Sequence, residues 1–134
     1  MPAKFFCGSL AGMLKEAILN GALLGIIEES ARAMIGLSAG AEEAAFARSR
    51  LALPAVRRHA RTLVQTAANL PVDTRVSLER VDWDAWATVV KESGRGGEAE
   101  ASALWFAARS LAPATLLWLA TYRKSQPDLF AYRA

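Results

Sequence analysis

The chain has 134 residues, 53% of them hydrophobic and 22% charged, with a formal net charge of +3. That balance excludes a disordered chain and fits one domain with a core of its own. One cysteine, Cys7, and one histidine, His59, exclude an intramolecular disulfide, a cysteine-based metal site and a multi-histidine zinc site.

Helix formers dominate and alternating patterns are nearly absent. The expected fold is therefore all-α, a single up-and-down helical bundle of four to five helices within one domain. The start, Met1-Pro-Ala-Lys-Phe-Phe, holds a single lysine and no clear signal-peptide core. With the thiol usage, this leads us to expect a cytoplasmic protein.

The first helix is predicted over Leu10–Ile35. Gly12, Gly21 and Gly25 each cost it up to about 1 kcal/mol relative to alanine, tolerable where another helix crosses closely; the alternative is an interrupted helix. Gly36 and Gly40 bracket the expected break, with Ser38 a possible cap. Leu19–Ile27 is apolar but about half the roughly 20 residues a membrane span needs.

A second helix is predicted over Ala41–Leu51, ending before Pro54 because the residue ahead of a proline leaves the α region. Pro54 then suits the first turn of a third helix reaching Leu70, where Pro71 stops it. At 100° per residue, Val56, Ala60, Leu63, Val64, Ala67 and Leu70 share one apolar arc. Arg57, Arg58, Arg61, Thr62, Gln65 and Asn69 share the opposite arc, and His59 stands at the boundary.

A polar loop is expected over Val72–Arg80. Asp82 then caps a fourth helix carrying Trp83 and Trp86, which ends near Glu92 before Ser93-Gly-Arg-Gly-Gly97. The last helix or helix pair spans Glu98–Lys124, kinked or split at Pro113. It is apolar nearly all round, so it is either central or covered by a second subunit; a homo-oligomer or a protein partner through Leu104–Tyr122 is expected. Arg109 and Pro113 inside this segment argue against a membrane span. Phe130 and Tyr132 in the tail are expected to pack back onto the bundle.

The chemistry concentrates between Ala44 and Val72. This stretch carries Arg48, Arg50, Arg57, Arg58, Arg61 and His59, and no acidic residue. Such a field costs self-repulsion, and its natural counter-charge is a polyanion, most commonly nucleic acid. The competing reading is a solvated face neutralised by Glu28, Glu29, Glu42 or Glu43. His59 has no partner at a telling spacing and reads as a boundary residue. Tryptophans at helical spacing in apolar surroundings read as core or interface, not as base-stacking platforms. The loop Gly94-Arg95-Gly96-Gly97, with Lys91 nearby, lacks the preceding strand and the Gly-Lys-Ser/Thr of a phosphate loop. It reads as a helix–helix turn bearing two basic residues. No metal, cofactor or catalytic nucleophile is indicated.

The order of features resembles the HepT-like branch of the HEPN superfamily. A long helix and a short one precede a helix ending in Leu70-Pro71. A polar loop then leads to Val81-Asp82-Trp83, and the final helix carries Trp105 and Leu111-Ala-Pro113-Ala-Thr-Leu116. The resemblance, over residues 10–120, implies a helical-bundle ribonuclease toxin that dimerises and pairs with a small nucleotidyltransferase antitoxin. The family's Arg-x4–6-His motif falls on Val90–Glu98, which here reads Lys91-Glu-Ser-Gly-Arg95-Gly-Gly-Glu98 in its basic part. It holds no histidine to exchange protons near neutral pH and no adjacent tyrosine for an antitoxin to modify. The expectation is an RNA-binding, toxin–antitoxin-related protein with a degenerate nuclease centre. The nucleic-acid contacts would be Arg48, Arg50, Arg57, Arg58, Arg61, Lys91 and Arg95. The alternative is a non-enzymatic helical subunit of a bacterial RNA-guided complex that holds backbone through the same arginines.

Overall fold

The computed structural model describes residues 2–130, with the side chains of Lys15 and of residues 17–130. The Cys7 and Tyr132 side chains lie outside the described set. Every regular element among the described residues is helical. In chain order these are α1 (Pro2–Ser38), α2 (Glu43–Arg48), α3 (Ala52–Asn69), α4 (Val72–Ser77), α5 (Trp83–Ser93), α6 (Gly97–Phe106) and α7 (Ala112–Ser125). A π-helical turn, Ala107–Leu111, joins α6 to α7, and a 3-10 turn, Pro127–Leu129, follows.

The first helix is longer at both ends than its sequence pattern suggests, and no glycine interrupts it. Gly36 lies inside it, and the break comes after Ser38. The Ser38 hydroxyl is fully buried and donates to the Met34 and Ile35 carbonyls at 3.1 Å each. It thereby occupies the carbonyl end of α1, where helices lack backbone donors. It does not cap the next element.

Ser49 sets the start of α3. Its hydroxyl accepts from the Ala52 amide at 2.8 Å, so the helix opens ahead of Pro54, and the proline falls within the first turn. At the other end Leu70 is extended (φ −66°, ψ 141°) before Pro71, as predicted. The expected loop Val72–Arg80 instead begins with α4. Thr74 of this short helix is buried and donates to the Asn20 side chain of α1 at 3.2 Å, and Leu78 behind it is wholly enclosed. Asp82 caps α5 as expected, accepting from the Ala85 amide at 2.9 Å.

Pro113 does not split the last helix. Gly97–Ser125 runs on for 29 residues, with the π turn ending just before the proline. In regular α geometry the Pro113 ring would strike the Arg109 carbonyl. The wider π turn at that point relieves the clash.

One cluster forms the core. Leu24, Ile27 and Met34 of α1 meet Val56 and Leu63 of α3, Trp86 of α5, and Leu104 and Leu119 of the last helix. Each such side chain contributes about 1.5–3 kcal/mol. The α1–α3 seam is the most extensive helix contact. Trp86 is 1% exposed, and its indole N–H donates to the Thr115 hydroxyl at 2.9 Å, so the one polar atom of this side chain is satisfied in the interior. By length and composition Gly97–Ser125 would suffice to cross a membrane. Here its Leu104, Ala107, Ala108, Ala112 and Leu119 are buried against the chain's own helices, while Phe106 and Leu117 stay exposed. Phe130 packs back as expected, beneath the Arg123 guanidinium at 4.6 Å.

Candidate nucleic-acid interface

The α3 helix presents the two arcs its sequence predicts. Val56, Ala60, Leu63 and Ala67 are buried, while Arg58, Arg61, Thr62, Gln65 and Asn69 face solvent. His59 is partly buried between them.

Arg57 departs from the expected role. Its guanidinium bonds the Glu100 carboxylate in a fork, with Nε at 2.8 Å and Nη2 at 2.5 Å. Glu100 lies in the first turn of α6 and is only 6% exposed. It also accepts from the Ser93 hydroxyl at 2.6 Å. A buried carboxylate must be paired, and a bidentate arginine is the strongest partner available. The Arg57 fork holds the Glu100 carboxyl below the usual carboxylate range, against burial, which pushes it up, and with help from the Ser93 hydroxyl. The Arg57 guanidinium is raised in turn by the same hydrogen bonds. Arg57 is therefore a brace between α3 and α6 and is withdrawn from the set of free phosphate contacts.

The glutamates expected to neutralise the cluster do not do so. Glu28 bonds Arg123 at 2.5 Å. Glu29, Glu42 and Glu43 form no ion pair among the described residues. Arg48, Arg50, Arg58 and Arg61 are all exposed, and none has a carboxylate within ion-pair distance among the described residues. Arg48 and Arg50 stand at the N-terminal end of α3, and Arg58 and Arg61 lie along it. The first turn of α3 holds no acidic residue, so the positive end of the helix dipole adds to the arginine field.

The Ser93–Glu100–Arg57 linkage also pins the α5–α6 turn beside α3, which brings together two basic segments that the sequence keeps apart. Within that turn Gly96 and Gly97 have φ of +70° and +57°, values that glycine adopts without strain. Arg95 is exposed but bonds Glu92 at 3.1 Å. Lys91 is exposed with no ion pair among the described residues. Glu98 and Glu100 occupy the first turn of α6, so the chain's own carboxylates already complement that helix end. The turn is a poor phosphate cradle; Lys91 and Arg95 flank the stronger field on α3.

The tryptophans serve packing. Trp105 lies 5.4 Å from Phe46 and under Arg109 at 5.8 Å; Trp118 lies 6.4 Å from Tyr122 and under Arg80 at 5.3 Å. A groove of about 600 Å³ is on another part of the surface, lined by Val72, Arg75, Val76, Arg80 and Trp83, with Glu79, Asp82 and Asp84 opposing its cations. Among the described residues, no three His, Cys, Asp or Glu side chains gather as a metal site would require. Sequence reasoning missed Glu100 and Ser93. The charged, glycine-rich run Lys91–Glu100 gave no sign of which of its polar residues would be buried. Compared with family models, curated proteins and solved structures, the chain shows no significant match.

Proposed function

We propose that this protein binds nucleic-acid backbone, RNA in particular, through Arg58 and Arg61 on the exposed arc of α3 and Arg48 and Arg50 in the segment that leads into that helix. The observation that carries the reading is that all four guanidinium groups face solvent with no carboxylate within ion-pair distance among the described residues. Guanidinium forks suit phosphate oxygens, and contacts of this kind fix position without reading sequence. Lys91 at the end of α5 and Arg95 on the turn that follows extend the field. The HEPN-type resemblance supplies the choice of RNA. The missing histidine in Val90–Glu98 makes the protein a binder with a degenerate nuclease centre, so total RNA incubated with it is expected to stay intact.

The test is fluorescence anisotropy with a short single-stranded RNA across a salt series. Reversing Arg48, Arg58 and Arg61 to glutamate should abolish binding. Replacing them singly by alanine should lower the slope of log K against log salt by about 0.7 per lost contact. Affinity that survives the triple reversal overturns the proposal. Cleavage that disappears in Arg95→Ala would restore an active nuclease centre at the turn.

A further inference from the structure

We infer that the RNA held by this protein is single-stranded, with its unpaired bases met by Leu51, Gln65 and Asn69 along one stripe of α3. The inference rests on the reading of α3 as an RNA interface and adds which form of RNA that interface takes. Leu51 stands one residue ahead of the helix, but its backbone is already in the right-handed helical region (φ −98°, ψ −54°), and its carbonyl accepts from the Ala55 amide at 3.3 Å. At 100° per residue, Leu51, Arg58, Arg61, Thr62, Gln65 and Asn69 therefore share an arc of about 100°. All six are exposed. The stripe follows the 18-residue helix for about 27 Å.

Its two halves differ in kind. The arginines end at Arg61, and no charged residue follows until Asp73. The last turn of α3 holds no basic residue, so nothing there offsets the negative end of the helix dipole. Phosphates are drawn to the arginine half and gain nothing beyond it. The second half offers a hydroxyl and two carboxamides instead, on Thr62, Gln65 and Asn69. Among the described residues the side-chain hydrogen bonds of α3 are made by Arg57 and Thr66, which leaves these three groups able to bond a ligand. A carboxamide both donates and accepts, as the edge of a nucleobase does. Gln65 and Asn69 lie about 6 and 12 Å beyond Arg61 along the helix axis.

Leu51 supplies a second observation, at the opposite end of the stripe. It is 80% exposed, directly after Arg50, so the chain's own core makes little use of it. Apolar side chains of this kind wedge against the faces of unstacked bases. Neither contact suits a duplex. An A-form helix keeps its base faces in the stack, and its major groove is too deep and narrow for side chains to read base edges. A single strand offers faces and edges together while its phosphates follow the arginines.

Fluorescence anisotropy of the full chain tests this, with an RNA single strand of about 12 nucleotides and the duplex it forms with its complement, each across a salt series. At equal salt the single strand should bind about tenfold tighter than the duplex. Gln65→Ala combined with Asn69→Ala should lower single-strand affinity about tenfold and leave duplex affinity unchanged. The slope of log K against log salt should stay the same, because no phosphate contact is lost. Leu51→Ala should act in the same direction, by about three- to fivefold. All three positions are exposed, so circular dichroism should show the fold unchanged. Duplex binding equal to or tighter than single-strand binding overturns the inference. So does a single-strand preference that survives the double substitution or Leu51→Ala. Those outcomes leave the arginine interface standing, whereas the absence of salt-dependent binding to both RNAs overturns the interface and the inference together.

Discussion

Removing the Arg57 guanidinium leaves Glu100 buried without its counter-charge. Arg57→Met should cost about 2 kcal/mol of stability, less than a wholly buried pair would, because 31% of the Arg57 side chain is in solvent. Chemical denaturation measures the loss, and RNA affinity at full folding should change little. The acid side of the stability curve follows from the same bond. The folded chain holds the Glu100 carboxyl below its unfolded value, so the contribution is complete above about pH 4.3. It is lost as the pH falls from there through the folded value. Arg57→Met should flatten that part of the curve. None of this was legible in the sequence, because Glu100 is 43 positions from Arg57. Helical periodicity tells which way a side chain leaves its own helix, not what meets it there.

Single helices were more legible, wherever a local signal marks their ends. Asp82 is the clearest, and Asp82→Ala should lower stability by about 1 kcal/mol, read as a lower urea midpoint at unchanged slope. Pro71 ends α3 for a reason equally local, since the residue before a proline is driven out of the α region. Signals that depend on tertiary surroundings misled. The helix was expected to end at Ile35 and runs on to Ser38, three residues further, although the break does fall between Gly36 and Gly40 as expected. The helix at Val72–Ser77 is too short for periodicity to reveal, and its formation rests on Thr74 reaching across to Asn20. Pro113 was read correctly as a disturbance, but its outcome, a π turn inside an unbroken helix, depends on how the neighbouring helices hold both halves in line.

The whole molecule depends most on the seam between α1 and α3. Leu63 is fully enclosed there, so Leu63→Ala should cost about 2–5 kcal/mol and lower the melting temperature, while the proposed RNA binding should be unchanged in the fraction still folded. The all-α class could be read from composition because apolar residues spaced for helices leave no other way to hide themselves. The use of the arginine face could not be read so directly, since surface charge bears on partners and encounter rates and not on fold. Four tryptophans give the molecule its own optical gauge. Trp86 is sealed from water with its N–H engaged, whereas Trp105 and Trp118 sit under arginine cations. Ultraviolet excitation of the native protein should yield one short-wavelength component from Trp86. That component should move to the red when the interior opens, and Trp86→Phe should remove it.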